Sequence, residues 1–274
     1  MSQNLKPLFI FEMANNHNGN LQRGLKIIND IKKEVEQYTK YFDFAFKFQY
    51  RNLETFIHPD YQGRNDIKFV KRFSETKLTM DEFLQLKDEA KKLGFLTICT
   101  AFDEPSVDLV AAQKYDFIKI ASCSFTDWPL LEKIALTKMP IIASTAGSSV
   151  EDIEKVTQFF LHRDKNLTLM HCVAEYPTKP ENMQLNQIDL LKNLFPKVTI
   201  GFSTHENPEN METVKLAIAK GAKVFEKHVG LDDYEGSINA YSATPEQIGQ
   251  WLKYAKEAFD ICGIEDKRYE FTKS

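Results

Sequence analysis

Cysteine is scarce in this chain: Cys99, Cys123, Cys172 and Cys262 are the only four in 274 residues, far apart and without a CxxC pair. That excludes a disulfide framework and a cysteine-based zinc module, and it leads us to expect a reducing, cytoplasmic location. There is no excess of basic charge either, with 35 Lys and Arg against 39 Asp and Glu. The sequence therefore carries no footprint for nucleic acid or an anionic membrane, and any group that binds an anionic substrate must be local. Long apolar runs are also missing. None nears the ~20 residues of a membrane span, and no signal-peptide pattern precedes Leu8. Finally, no glycine-rich phosphate turn follows the first apolar run, which removes the signature of a dinucleotide-binding open sheet.

What the sequence does have is rhythm. Short, nearly continuous apolar runs read as strands buried on both faces: Leu8–Met13, Phe44–Phe48, Leu96–Cys99, Phe117–Ile120, Ile141–Ala143, Leu167–His171, Val198–Gly201 and Lys223–Phe225. Amphipathic stretches alternate with them: Leu21–Val35, Met80–Leu93, Pro105–Lys114, Pro129–Leu136, Val150–Leu161, Leu185–Leu194, Asn210–Lys220 and Pro245–Ile261. Start signals such as Thr79 ahead of Glu82 and Thr244 ahead of Pro245 support these helices. The alternation predicts a (β/α)8 TIM barrel, α/β in class, forming a single catalytic domain over residues 1–274. The polar stretch Tyr50–Lys77 interrupts the rhythm and reads as an elaborated loop over the active face, with a short helix at Asp66–Phe73.

In such a barrel the C-terminal ends of the strands face the substrate. Read in order, those ends carry Glu12 and the Asn15-to-Gly19 turn, Lys47 and Gln49, Thr100, Lys119 and Ser122, Ser144 and Thr145, His171 and Tyr176, Ser203 and His205, and Lys227-His228. Two lysines with several hydroxyls suit a small multiply charged anion, such as a phosphate that also bears a carboxylate. A lone lysine at a strand end is often a solvated charge, but Lys47 and Lys119 lie inside apolar strands and need partners there. His205 and His228 suit an open metal site completed by water and substrate; with Glu12 nearby it would accept Mn²⁺, Mg²⁺ or Zn²⁺. His171 reads as a hydrogen-bonding residue of the barrel interior. His17 fits two readings, a loop-shaping hydrogen bond and a part in the chemistry, and Cys123 and Cys172 read as packing residues.

These strand-end motifs resemble the sialic acid synthases. The resemblance runs from Phe9 to Cys262, carried by Glu12-Met13-Ala14-Asn15-Asn16-His17-Asn18-Gly19, Lys47-Phe48-Gln49, Thr100-Ala101-Phe102, Lys119-Ile120-Ala121-Ser122, Ser144-Thr145-Ala146-Gly147, His171 through Thr178, Gly201-Phe202-Ser203-Thr204-His205 and Glu226-Lys227-His228. It implies a metal-dependent condensation of phosphoenolpyruvate with the aldehyde of an N-acetylmannosamine-type sugar. The product would be a 2-keto-3-deoxy sugar acid such as a nonulosonic acid, with phosphate released by C–O cleavage. By the same resemblance His205 and His228 hold the metal, Mn²⁺ being expected and Mg²⁺, Co²⁺ or Zn²⁺ possible. Lys47, Gln49, Thr100, Lys119, Ser122, Ser144, Tyr176, Ser203 and Asn239 line the substrates, and Glu12 is catalytic alongside the two histidines. A homodimer is expected on the same ground.

The sequence departs from the family pattern on the sugar side. A glutamate that holds the sugar corresponds here to Ser124, an asparagine ahead of Tyr176 to Ala174, an aspartate beyond the second metal histidine to Asn239, and the usual Ser-Asp-His-Thr reads Ser203-Thr204-His205-Glu206. A hydroxyl cannot replace the paired acceptors of a carboxylate, so the acceptor is expected to differ from the common one. The chain also shows no counterpart of the family's C-terminal antifreeze-like domain. Two other readings compete, a metal-dependent aldolase or lyase and a non-catalytic relative that binds a sugar or phosphorylated ligand. Retention of Glu12, Lys47, Lys119, His205 and His228, which folding does not require, favours the condensing enzyme.

Overall fold

The computed structural model describes residues 6–233 and 238–263, together with 268 and 270. Eight strands close into a barrel in sequence order, β1-β2-β3-β4-β5-β6-β7-β8. They are β1 Leu8–Glu12, β2 Asp43–Tyr50, β3 Leu96–Ala101, β4 Phe117–Ile120, β5 Ile141–Ser144, β6 Leu167–Cys172, β7 Thr199–Thr204 and β8 Val224–His228. Every neighbouring pair is parallel, including the closure that sets Glu12 beside His228. The expected TIM barrel is the fold.

Periodicity places most helices where the sequence predicts them. α1 spans Leu21–Val35, α4 Met80–Lys92, α5 Glu104–Ala112, α6 Trp128–Ala135, α7 Val150–Leu161, α8 Asn186–Leu194, α9 Glu212–Ala219 and α10 Pro245–Cys262. Capping chemistry fixes their starts: Thr79 and Glu82 form a reciprocal capping box on α4, as do Thr244 and Gln247 on α10. The predicted loop Tyr50–Lys77 holds more structure than expected, with α2 at Leu53–Phe56 as well as α3 at Lys68–Glu75. Strands β2, β7 and β8 run further toward their C-terminal ends than the apolar runs suggest. Those extra residues include the half-buried Gln49 and the buried Ser203 and Glu226, polar groups that an apolar pattern cannot find.

Two apolar layers explain the alternation. Ile10, Ala45, Ile98, Ile142, Met170 and Val224 form a compact cluster of their own, the plug of the barrel lumen. Gly201 belongs to this layer by register, and a Cβ there would lie 2.4 Å from Met170 Sδ and 2.5 Å from the Val224 carbonyl oxygen. The intervening residues face the helices and build the larger cluster with Ile27, Ile28, Ile31 and Trp251. Phe9 packs there with its ring centroid 4.8 Å from Phe225 and 5.1 Å from Trp251. Each such side chain contributes about 1.5–3 kcal/mol by burial, so the abundance of phenylalanine belongs to the packing between strands and helices.

Candidate active site

The period of two that builds the plug also builds the site. Moving along each strand from the plug, the next lumen-facing residue is Glu12 after Ile10, Lys47 after Ala45, Thr100 after Ile98, Ser144 after Ile142, Ser203 after Gly201 and Glu226 after Val224. An apolar floor thus carries a polar layer two residues higher, at the C-terminal ends of the strands.

That layer is an ion-pair network. Lys47 Nζ lies 2.6 Å from Glu12 Oε2 and 2.8 Å from Glu226 Oε1. Lys119 Nζ donates to Glu226 Oε2 at 3.0 Å, and Ser203 Oγ donates to Glu226 Oε1 at 3.0 Å. Glu12 completes its shell by accepting from the Ala14 backbone N–H at 2.5 Å. Burial by itself would discharge Lys47, but Glu12 and Glu226 outweigh it and hold its pKa above the usual lysine range. Burial would likewise neutralise Glu226, and Lys119 and Lys47 overcome that and keep it ionised. For Lys119, burial prevails over Glu226, and its pKa falls below the ordinary value.

Glu226 is the residue the sequence reading passed over. Its signal was present: it sits two positions before His228 in an apolar strand, on the same face. Lys227 shows the converse. Read as a strand-end group, it points to the helix layer, 2.8 Å from Glu206 Oε1 and 5.5 Å from the centroid of the Trp251 ring. His171 also faces outward instead of into the barrel interior, with Nε2 2.8 Å from the Met183 carbonyl oxygen.

His205 and His228 stand together above the polar layer, ring centroids 5.3 Å apart. The rings of Tyr176 and Tyr241 enclose them, Tyr176 lying 4.3 Å from His205 and Tyr241 5.2 Å from His228. Burial holds both imidazoles neutral, with pKa values of about 3; His228 lowers His205 further, and Lys47 lowers His228 further. His205 Nδ1 lies 3.1 Å from the Val173 carbonyl oxygen, which assigns the proton to Nδ1 and leaves Nε2 with its lone pair. His228 Nδ1 is buried without a hydrogen-bond partner. Two neutral imidazoles, one with an unspent buried nitrogen, suit a divalent cation. Among the described residues no group of three or more His, Cys, Asp or Glu could hold a metal ion, so the protein would supply two ligands and leave open positions.

The remaining expected residues divide. Thr100 Oγ1 is buried in the site without a hydrogen-bond partner, and Ser144 is buried at the end of β5. Ser122 Oγ accepts from the Ala146 N–H at 3.2 Å, so it braces the loop after β5. Gln49 Oε1 accepts from Arg51 Nη2 at 2.6 Å. Asn239 donates from Nδ2 to Asn16 Oδ1 at 3.3 Å, while its own Oδ1 accepts from the Tyr241 N–H at 3.2 Å. Its amide thus links the β8 loop to the turn after β1. His17 stays in that turn, with Nδ1 accepting from the Gly19 N–H.

Fold and site together define a (β/α)8 barrel with a buried ion-pair network and two neighbouring histidines at its strand ends, and comparison with known proteins gives that class a family. Residues 42–267 match the NeuB family, and the chain belongs to it. It is 32% identical over 265 residues to the uncharacterized protein MJ1065 of Methanocaldococcus jannaschii, covering 96% of this chain and 74% of that one. It is 31% identical to the N-acetylneuraminate-9-phosphate synthase of Drosophila melanogaster, over 87% of this chain and 64% of the relative. The crystal structure of a Chromobacterium violaceum protein described as spore coat polysaccharide biosynthesis protein E superposes with a TM-score of 0.94 at 53% identity, over 97% of this chain and 79% of that one. The family is thus that of the sialic acid synthases, as the strand-end motifs imply. Among the described residues no helix is long and apolar enough to cross a membrane.

Proposed function

We propose that the protein condenses phosphoenolpyruvate with the open-chain aldehyde of a sugar, forming a 2-keto-3-deoxy sugar acid and inorganic phosphate, and that it does so as a metal-dependent cytoplasmic enzyme. The observation that carries this reading is the buried pairing of Lys47 and Lys119 with Glu12 and Glu226, directly below the His205–His228 pair.

Lys47 and Lys119 supply charge-assisted donors for the phosphate and carboxylate of phosphoenolpyruvate, with Ser203, Ser144 and Thr100 as neutral donors around them. The two lysines and the two glutamates cancel in formal charge, so a trianionic substrate needs further positive charge. A divalent cation on His205 and His228 would supply part of it and would polarise the aldehyde oxygen as a Lewis acid. In the reaction, C3 of the enol forms a bond to the aldehyde carbon, whose oxygen takes up a proton. Water adds at C2, and phosphate departs with cleavage of the C–O bond. Glu12, hydrogen-bonded on one oxygen and ion-paired on the other, is placed to orient that water and accept its proton. A homodimer remains part of the proposal.

The test is phosphate release from phosphoenolpyruvate with Mn²⁺ across a panel of aldoses and amino-sugars. Acceptor-dependent release is expected. Binding of phosphoenolpyruvate and Mn²⁺ without release for any acceptor would remove the condensation.

A further inference from the structure

The two histidines above the charged layer are not held alike. His205 Nδ1 is fixed by the Val173 carbonyl oxygen at 3.1 Å, the arrangement expected of an imidazole that presents its other nitrogen to a cation. His228 makes no side-chain hydrogen bond among the described residues, and its Nδ1 is buried without one. No polar partner therefore sets the tilt of this ring. Its surroundings are aromatic instead. Tyr241 meets His228 at 5.2 Å between centroids with the planes at 83°, and meets His205 at 5.9 Å and 87°. Edge-on contact of that kind is what ring quadrupoles favour. Tyr241 makes it with both imidazoles, and Tyr176 backs it at 5.2 Å.

Tyr241 reaches that position because the chain after β8 returns to lie beside the strand end it has just left, Val229 bridging to Ala243. The Ala243 N–H donates to the His228 carbonyl oxygen at 2.8 Å, and the Gly230 N–H donates to the Ala243 carbonyl oxygen at 3.0 Å. Asn16, buried in the turn after β1, clamps both arms of this loop. Its Nδ2 donates to the Val229 carbonyl oxygen at 2.7 Å and to Ser242 Oγ at 3.1 Å, while its Oδ1 accepts from Asn239. Asn16 is itself held, since Arg23 Nε donates to its carbonyl oxygen at 3.1 Å. The approach is close: a Cβ on Gly230 would lie 3.2 Å from both Asn16 Cβ and Asn16 Nδ2. The loop therefore passes the clamp at a residue without a side chain.

We infer that Tyr241 is a positioning residue for His228, orienting by ring contact an imidazole that no hydrogen bond orients, and that Asn16 keeps Tyr241 in place. The inference rests on the reading of His205 and His228 as ligands of a divalent cation. One ligand is then aimed by a backbone carbonyl and the other by an aromatic edge. The phenol oxygen has no part in this, so a phenyl ring serves as well, whereas leucine offers no flat edge to pack against.

The experiment compares the native protein with Tyr241→Phe, Tyr241→Leu and Asn16→Ala, each checked for native folding by circular dichroism. With the histidine ring nitrogens isotope-labelled, nuclear magnetic resonance of the metal-free protein reads ring orientation. The native protein should show a single set of His228 signals. Tyr241→Leu should shift or split that set and leave the His205 set, tied to Val173, near its native position. Tyr241→Phe should reproduce the native spectrum. Mn²⁺ titrated by electron paramagnetic resonance should bind about tenfold more weakly to Tyr241→Leu and Asn16→Ala, the loss that follows removal of an orienting group. Tyr241→Phe should keep the native affinity. Unchanged His228 signals in Tyr241→Leu overturn the inference. So does a Tyr241→Phe protein as impaired as Tyr241→Leu, which would transfer the role to the hydroxyl. Native His228 signals in Asn16→Ala remove the part assigned to Asn16; if that variant does not fold, the two Tyr241 variants decide. If the native protein binds no Mn²⁺, the metal reading fails separately, and the His228 signals of the metal-free protein still decide whether Tyr241 orients the ring.

Discussion

Glu226 Oε2 accepts the Lys119 ammonium at 3.0 Å, two strand positions before the histidine at which β8 ends. The same carboxylate also receives Lys47 and Ser203 on its other oxygen, so a single side chain balances both lysines of the proposed anion pocket. Glu226→Gln should therefore leave two buried ammonium groups facing only Glu12. Removing one member of a buried ionic cluster costs about 3–5 kcal/mol, which for a domain of this size lowers the melting temperature by about 10 °C. Thermal unfolding followed by circular dichroism checks this. A shift of under about 2 °C would show that Glu226 does not hold the cluster together.

Two buried lysines near the strand ends, Lys47 and Lys227, should respond differently to loss of charge. Lys47→Met removes a donor from the anion pocket and should raise the Kd for phosphoenolpyruvate about tenfold or more. Lys227→Met strands Glu206 among the helices and should destabilise the fold by about 3–5 kcal/mol while leaving phosphoenolpyruvate affinity in place. Calorimetry with phosphoenolpyruvate alongside urea unfolding separates the effects. Equal loss of affinity in both variants would disprove the division between a lumen face that meets substrate and a helix-side face that only packs.

Replacing both His205 and His228 by Gln should abolish Mn²⁺ binding, since these rings are the donors that stand together above the charged layer. Titration of free Mn²⁺ by electron paramagnetic resonance reads this without reference to turnover. Retained stoichiometric binding would place the cation elsewhere.

Stability should fall in acid partly through His17. Burial lowers its pKa to about 4, against a smaller opposing pull from Glu82, whereas the unfolded chain titrates near the ordinary 6.5. The unfolded state therefore takes up a proton first as pH falls. The stability held above pH ~6.5 is lost progressively toward pH ~4, and the loss reaches about 2 kcal/mol at pH 5. His17→Asn keeps an acceptor for the Gly19 N–H but cannot titrate. Its unfolding free energy should vary less between pH 7 and 5, and a slope identical to the native one would exclude His17 as a contributor.

Much of this protein was readable before folding because its barrel repeats a local rule. Apolar runs alternating with amphipathic stretches determine strands and helices through hydrogen bonding and burial, and residues such as Thr79 and Thr244 mark helix starts by satisfying backbone N–H groups that have no other partner. The identities of Glu12, Lys47, Lys119, His205 and His228 were legible for a related reason: charges and imidazoles embedded in apolar strands need partners, and in a parallel barrel they find them at one end. Which partner each finds is not local. Lys227 and Glu226 are adjacent in sequence, yet the pleat sends one to Trp251 and the other to Lys119, over a hundred residues away in the chain. Arg51 looks like a solvated charge in a polar stretch until α2, α3 and β3 bring Phe56, Phe73 and Phe102 around it. The sequence determined the barrel and the kinds of group at its mouth. Only closure of the barrel decided which of those groups face the lumen and which partner each one meets, because charges interact through space and the chain fixes their distances only once it has folded.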